Sequence, residues 1–205
     1  MRPLSRLIPF ILFFSTGLQV YAGENGLARF REIRANPILK AELISIVEAA
    51  LLRAFGEAAE LPQPKAPELR APLGVFVTAK KNGEVRGCVG TLHPLQVGLP
   101  WEIAANLKRA LFLDPRHRPV RREEIAGMEF YLTTAADPKL VDRIESISPA
   151  RDAILLKAGN KEAVVLPGEA KTLRYLLAFA KVKAGIKKGD HYRVYRLSSE
   201  TIKVK

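Results

Sequence analysis

Residues 74–95 read GVFVTAKKNGEVRGCVGTLHPL, two runs rich in strand-forming residues on either side of Asn82-Gly83. Asn-Gly favours a two-residue type I′ turn, because both central residues of that turn need positive φ. The stretch therefore predicts a β-hairpin, and the turn sets its register. In that register the facing pairs are Lys81 with Glu84, Ala79 with Arg86, and Val77 with Cys88.

The predicted register sorts the hairpin side chains onto two faces, because side chains alternate along a strand. The more apolar face is expected to pack on the core, and it holds Phe76, Thr78, Val85 and Val89. The other face combines small side chains with a guanidinium and a thiol, and it holds Val77, Ala79, Arg86 and Cys88. Gly87 and Gly90 flank the thiol, and a glycine inside a strand often marks a bulge or the close approach of a ligand.

Cys88 is the only cysteine in the chain, and two interpretations of it are open. A nearby cation favours a thiolate, so Arg86 on the same face would lower the pKa of an exposed Cys88 and make it a candidate nucleophile. Free cysteine is also among the most frequently buried residue types, which would make Cys88 a packing residue.

The first 22 residues are organised like a secretory signal peptide. Met1–Arg6 carries two arginines, Leu7–Val20 is largely apolar, and Ala22 ends a small-residue cleavage site. We therefore expect an exported protein, periplasmic or extracellular, with a signal at residues 1–22 and one domain at residues 23–205. The alternative is a membrane anchor that is not cleaved, although the apolar run falls short of the roughly 20 residues that span a membrane.

The chain is basic, with a net charge of +12. Removing residues 1–22 leaves 31 basic and 21 acidic residues, a net charge of +10. Positive charge attracts anionic partners, but Lys and Arg are spread along the chain, as on an ordinary solvated surface. We expect no nucleic-acid partner and membrane contact only through the signal segment. A single cysteine excludes an internal disulfide.

Three helices are predicted from apolar residues at helical spacing. The first begins at Asn36-Pro37, the second begins at Pro100 with Trp101 on its apolar stripe, and the third covers Thr172–Lys183 and stops at Gly185. Further strands are predicted at Met128–Thr133, Ile154–Lys157, Ala163–Leu166 and Tyr192–Leu197. Ser198-Ser199 is expected to end the last of these before a short edge strand at Thr201–Val204.

Short motifs in sequence order together resemble the AMMECR1 domain family. The most specific is Arg86-Gly87-Cys88-Val89-Gly90, which is similar to the family's LRGCIG pattern. Asp114-Pro115-Arg116, Leu166-Pro167 and Lys183-Ala184-Gly185 follow in the expected order. The chain departs from the pattern at His117, where the family usually has an aromatic residue, and at Gly168-Glu169.

The resemblance implies an α+β fold with an antiparallel sheet, about three helices and two lobes, with a cleft near the RGCVG hairpin. It implies no particular reaction, because the family has no settled biochemical activity, and it leaves open whether the protein is an enzyme. Around the cleft we place Cys88 as the candidate catalytic residue. The candidate ligand-binding residues are Arg86, Gly87, Gly90, Asp114 and Arg116.

The residue inventory argues against several other kinds of site. A structural zinc site needs about four clustered ligands, whereas the three histidines are scattered and the cysteine is single, so we predict no metal. The chain lacks a phosphate loop and a dinucleotide glycine fingerprint, and we predict no cofactor. A Cys–His pair would require His93 or His117 to lie beside Cys88 in space.

Three functions remain open from the sequence. The first is binding of a small anionic molecule or peptide, with Arg86 and Arg116 as anion anchors beside Cys88. The second is a thiol-dependent enzyme with Cys88 as nucleophile, and the third is a basic, non-catalytic binder of anionic polymers. The sequence does not specify an oligomeric state.

Overall fold

The computed structural model of the protein describes residues 24–205, and the predicted signal lies outside them. The helices are α1 (Glu24–Ala35), α2 (Pro37–Ala54), α3 (Pro67–Arg70), α4 (Leu99–Phe112) and α5 (Leu173–Ala184). The strands are β1 (Phe76–Lys81), β2 (Glu84–Gly90), β3 (Met128–Leu140), β4 (Ala153–Ala158), β5 (Lys161–Val165) and β6 (Arg193–Lys203). No helix among the described residues is both long and apolar enough to cross a membrane.

The six strands form one antiparallel sheet in the order β2-β1-β3-β6-β4-β5, which confirms the predicted α+β class. The sheet curls along its width. Phe76 of β1 and Leu155 of β4 are separated by two intervening strands, yet both belong to one buried apolar cluster. The curl therefore brings the β2 side and the β5 side of the sheet toward each other.

Helices cover the outside of the curled sheet in two groups. α1 and α4 pack on the sheet, α2 packs on α1 and α4, and together they enclose the largest apolar core, while α5 packs on β4 and β5 over a smaller one. A third apolar cluster fills the inside of the curl and includes Phe76, Cys88 and Leu155. The sheet is thus buried on both faces along much of its length.

The helix boundaries follow local capping chemistry. Asn36 caps α2, and its side-chain oxygen accepts hydrogen bonds from the amides of Ile38 and Leu39. Gly185 ends α5 in the left-handed conformation with φ 67°, as a glycine stop should. α1 was not predicted, although Leu27, Phe30 and Ile33 recur at a spacing of three and are all buried.

The predicted hairpin register is wrong beyond the turn. Lys81 faces Glu84 as expected, but Arg86 is an extra residue, so that Ala79 faces Gly87 and Cys88 faces Thr78. One extra residue in one strand is a β-bulge, and it moves every later side chain to the opposite face. Val77 and Cys88 consequently lie in different apolar clusters rather than on one face.

Two further predictions are corrected by the packing. Trp101 is 40% exposed, and the buried stripe of α4 includes the polar side chains of Glu102 and Asn106 instead. Ser198-Ser199 does not interrupt the last strand, because these residues pair with Ala136 and Ala135 of β3. β6 runs through the middle of the sheet, between β3 and β4, rather than along an edge.

Candidate functional site

A cleft of about 930 Å³ opens where the two sides of the curled sheet approach each other. Its walls come from the end of β2, the loop that follows β2, the segment after α4, β4, β5 and one side of α5. This volume is typical of sites for small molecules. Of the residues predicted for the site, Cys88, Gly90, Asp114 and Arg116 line the cleft.

Cys88 lies in the wall of the cleft but is almost wholly enclosed. Only 1% of its surface is exposed, and its Sγ accepts a hydrogen bond from Thr78 Oγ1 at 3.3 Å. The pKa of the thiol is raised to about 12, first by burial and then by the negative charge of Glu169, against the opposing effect of nearby cations. The predicted lowering of this pKa by Arg86 is therefore wrong, and the thiol is protonated at neutral pH.

The backbone of Cys88 is bound by the side chains of the Asp-Pro-Arg motif. Its N–H donates to Asp114 Oδ2 at 2.9 Å, and its carbonyl accepts from Arg116 Nη2 at 2.9 Å. Arg116 also holds Asp114 directly, with Nε 2.7 Å from Oδ1 and Nη2 2.6 Å from Oδ2. The motif thus binds both backbone polar groups of one residue of β2.

The Asp114 carboxylate is stable as an ion in this setting. Burial alone would raise the pKa of Asp114, but the hydrogen bonds from Arg116 and from the amide of Cys88 outweigh burial and lower the pKa to about 2. Burial would likewise lower the pKa of Arg116, but its bonds to Asp114 and the charge of Glu169 raise it. The two groups remain a charged pair across the physiological range.

Arg116 extends the pair into a row of alternating charges. Its Nη1 donates to Glu169 Oε1 at 3.2 Å, and the other oxygen of Glu169 lies 3.7 Å from Lys183 Nζ. We call Asp114, Arg116, Glu169 and Lys183 the charged row. Four of the five N–H donors of Arg116 are used within this row and by Cys88, so the guanidinium is largely committed to the protein itself.

Lys183 ends the charged row and differs from its other members. Its Nζ is buried and makes no hydrogen bond, although it forms the ion pair with Glu169. The same ammonium lies 5.8 Å from the centre of the Phe179 ring, which offers a weak cation–π contact. An ammonium has three donors, so Lys183 retains hydrogen-bonding capacity for an acceptor that enters the cleft.

The rest of the cleft is mainly apolar. Phe76, Leu92, Leu155, Val164 and Phe179 form much of its wall. Three large apolar side chains at the cleft are exposed to solvent: Leu95 at 70%, Tyr175 at 57% and Val182 at 80%. Such surface is available to the apolar part of a bound molecule.

Arg86 and Gly87 do not line the cleft. The bulge directs Arg86 toward the turn before β3, where its Nη2 lies 3.3 Å from Glu124 Oε2. Gly87 faces α4, and a Cβ placed there would lie 2.0 Å from the carbonyl oxygen of Ala110. Gly87 is therefore required by close packing of the helix on the strand.

Glu102 positions the loop that closes one side of the cleft. It is 1% exposed, and its Oε2 accepts from the amides of Leu95 and Gln96 at 2.8 and 2.9 Å. Its Oε1 accepts from Thr91 Oγ1 at 2.6 Å and from Asn106 Nδ2 at 2.9 Å. We call these residues the Glu102 cluster.

The sequence predicted four residues that line the cleft, but it did not predict roles for Glu102, Glu169 and Lys183. Lys183 begins the Lys183-Ala184-Gly185 motif, and Glu169 lies where the chain departs from the family pattern after Leu166-Pro167, yet nothing in the local sequence indicated that these two side chains meet. Glu102 gave no signal beyond its position in the first turn of a helix. Within residues 24–205, no group of three or more His, Cys, Asp or Glu side chains is arranged to hold a metal ion.

Comparison with known proteins supports the motif pattern. The AMMECR1 family model matches residues 44–202. A Thermotoga maritima protein is 31% identical over 155 residues, covering 73% of this chain and 88% of its own. A Clostridium acetobutylicum protein is 32% identical over 143 residues, covering 68% of this chain but only 30% of its own length, so it is a much longer protein.

The fold is also found in a solved structure. The crystal structure of an uncharacterised Pyrococcus horikoshii protein superposes with a TM-score of 0.62 at 23% identity. The match covers 79% of this chain and 90% of that one. At this identity the likeness concerns the fold alone.

Proposed function

The chain belongs to the AMMECR1 domain family, and from that premise we propose that it binds a small anionic molecule or peptide in the cleft beside Cys88. One observation carries the proposal: a buried ammonium, Lys183 Nζ, forms no hydrogen bond at the wall of a largely apolar cleft. A ligand with an apolar body and one carboxylate or phosphate would complete the hydrogen bonding of Lys183. It would also cover the exposed apolar side chains at the cleft.

Among the cations near the cleft, Lys183 is better suited to this role than the arginines predicted from the sequence. Arg86 lies outside the cleft beside Glu124, and Arg116 uses four of its donors within the protein. Arg109 also lines the cleft and contacts Asn106 at 3.5 Å, so it would add positive charge. In this proposal Arg116 holds the site in shape, and Lys183 contacts the ligand.

Calorimetric titration with octanoate tests the proposal. Octyltrimethylammonium, which has a similar tail and the opposite charge, is the matched ligand control. We expect octanoate to bind the wild type and Lys183→Met to weaken binding by about tenfold or more, the value of a charge-assisted hydrogen bond. Lys181→Met is the matched variant control, since Lys181 lies in the same helix with its Nζ 4.3 Å from the Tyr192 ring centre. Equal binding of the two probes would contradict the proposal.

The thiol-enzyme alternative is disfavoured by the burial and raised pKa of Cys88. Because burial raises the pKa of the Cys88 thiol, the thiolate is a far smaller fraction at pH 8 than in a free thiol. Alkylation by iodoacetamide should therefore be much slower in the native protein than in the urea-unfolded chain. A native rate equal to that of the unfolded chain would restore Cys88 as a candidate nucleophile.

The polymer-binding alternative rests on net charge alone. Several basic side chains on the described surface are already ion-paired, among them Arg31 and Arg34 with Glu200, and Lys161 with Asp190. Such pairs reduce the charge that a polyanion would meet. Heparin affinity that falls steeply with salt and survives Lys183→Met would favour this alternative.

We also propose that the protein is exported, on the signal-like sequence of residues 1–22. The prediction is cleavage after Ala22 in a secreting host. Sequencing the N-terminus of the secreted product measures it directly. Intact Met1 in the membrane fraction would instead indicate an uncleaved anchor.

A further inference from the structure

A second hollow of about 210 Å³ adjoins the cleft. The two share four wall residues, Leu92, His93, Leu155 and Glu162. Leu92 and His93 belong to the loop after β2, while Leu155 and Glu162 lie in β4 and β5. The two spaces therefore lie side by side where this loop meets the β4–β5 hairpin, and we call that place the junction. We call the smaller space the inner chamber.

The inner chamber owes its space to a small side chain on the inside of the curled sheet. Ala135 of β3 lies in its wall, is 2% exposed and belongs to the apolar cluster inside the curl. Ala136 also borders the chamber, but side chains alternate along a strand, so its methyl group points to the other face of the sheet. Leu197 of β6, 3% exposed, adds a further apolar surface. Lys157 and Glu162 are the two formally charged residues among those that line it. Lys157 Nζ lies 3.3 Å from Glu162 Oε2, so these two charges are paired with each other. Lys183, whose Nζ makes no hydrogen bond, lines the cleft and not the inner chamber.

This arrangement distinguishes between shapes of ligand. A compact molecule would occupy the cleft alone. A straight chain with a charged group at one end could place that group beside Lys183 and extend its tail past Leu92 and Leu155. Burial of that tail against Ala135 and Leu197 would add affinity in proportion to the apolar area removed from water.

We infer that the ligand is a linear amphipathic carboxylate whose anionic end contacts Lys183 and whose hydrocarbon tail enters the inner chamber. The inference rests on the proposed function, which supplies the anionic end, and goes beyond it by assigning the chain's shape and a second subsite. Chain length is then the property by which the protein selects among carboxylates.

A series of straight-chain carboxylates tests the inference in the unmodified protein. Butanoate, hexanoate, octanoate, decanoate and dodecanoate are titrated below their micelle-forming concentrations. We expect affinity to rise by about threefold to fourfold for each added CH₂ while the tail is being buried, and to level off once the chamber is full. An octanoate that carries an adamantyl group at its far end should lose the gain that dodecanoate shows, because the bulky end is stopped at the junction.

A variant of the inner chamber provides the second arm. Ala135→Leu should remove the gain between octanoate and dodecanoate while butanoate binding stays within about twofold, since the added carbon atoms fill the chamber and leave the cleft unchanged. Ala178→Leu, at an exposed position of α5, is the matched control and should show the same rise in affinity with chain length as the wild type. If Ala135→Leu does not fold, the comparison of the adamantyl ligand with dodecanoate on the wild type still tests the inference.

The outcomes separate the two proposals. If carboxylates bind but affinity does not rise with chain length, the inner chamber is not the subsite for the tail, and the proposed function still stands. An adamantyl ligand that binds as tightly as dodecanoate would also overturn the inner chamber. No binding by any member of the series would overturn the proposed function and the inference together.

Discussion

Two buried sets of polar side chains beside the cleft differ in how their hydrogen bonds are satisfied. In the Glu102 cluster one carboxylate accepts four hydrogen bonds from neutral donors, namely two loop amides, a hydroxyl and an amide side chain. In the charged row four ionised side chains alternate in sign, and the last of them, Lys183, has no hydrogen bond.

The difference separates a structural role from a binding role. A buried group whose partners are all supplied by the protein gains nothing from a ligand, and removing it leaves several donors unpaired. A buried cation that lacks hydrogen-bond partners lowers stability in the free protein and gains them when an anion arrives. Substitutions in the Glu102 cluster should therefore change stability most, and substitutions at Lys183 should change binding.

Glu102→Ala should have the largest effect on stability. It leaves the donors of Thr91, Leu95, Gln96 and Asn106 without their acceptor, and we expect the free energy of unfolding to fall by about 3 kcal/mol. Urea denaturation measures it, with Glu123→Ala on the surface as the control expected to lie within about 0.5 kcal/mol of wild type. A loss as small as the control's would mean that the loop after β2 does not depend on Glu102.

Gly87→Val should come next, and it tests the side of β2 that faces away from the cleft. The added Cβ meets the carbonyl of Ala110 at 2.0 Å, so strand or helix must shift, at a cost of about 1–3 kcal/mol. Gly127→Val is the control, because a Cβ at Gly127 has no atom within 4 Å. Equal stability of the two variants would show that α4 can move away from β2 at little cost in free energy.

Asp114→Asn should have a smaller effect that depends on pH. The pKa of Asp114 is lowered in the folded protein to about 2, so its contribution is complete above the unfolded value near 4 and is lost as pH falls toward 2. We expect a difference of about 2 kcal/mol between wild type and variant at pH 6, shrinking toward pH 2. A difference that stays constant with pH would point to packing rather than charge.

Lys183→Met should have the smallest effect on stability and so completes the contrast with Glu102. It removes a buried ammonium that lacks hydrogen bonds, while Glu169 keeps its contacts with Arg116 and the amide of Leu166. We expect a change in the free energy of unfolding within about 0.5 kcal/mol of zero, alongside the loss of octanoate binding. A loss of stability as large as that of Glu102→Ala would make Lys183 structural.

Much of the fold was predictable because its signals are local. Asn36 and Gly185 mark helix ends through hydrogen bonds and backbone conformations that lie within a few residues of each. The turn at Asn82-Gly83 has the expected positive φ angles of 52° and 78°. Such features are formed by neighbouring residues, so they can be predicted without knowledge of the rest of the chain.

The site was harder to predict because it depends on distant residues. The bulge at Arg86 accompanies the packing of Gly87 against α4, which a two-strand register cannot reveal. Glu169 contacts Arg116 across 53 residues of chain, and Lys183 contacts Glu169 from α5, so these contacts depend on the placement of β4, β5 and α5. The serines of β6 belong to a central strand because the small alanines of β3 lie opposite them.

The grip of Asp114 and Arg116 on Cys88 has a consequence for self-association. β2 is the last strand on its side of the sheet, and an exposed edge with free N–H and C=O groups can pair with a strand of another molecule. At Cys88 both of these groups are occupied, by a carboxylate and a guanidinium that mimic the acceptor and donor of a neighbouring strand. The Asp-Pro-Arg motif thereby occupies both backbone groups of Cys88, so a strand of another molecule cannot pair with β2 at this residue.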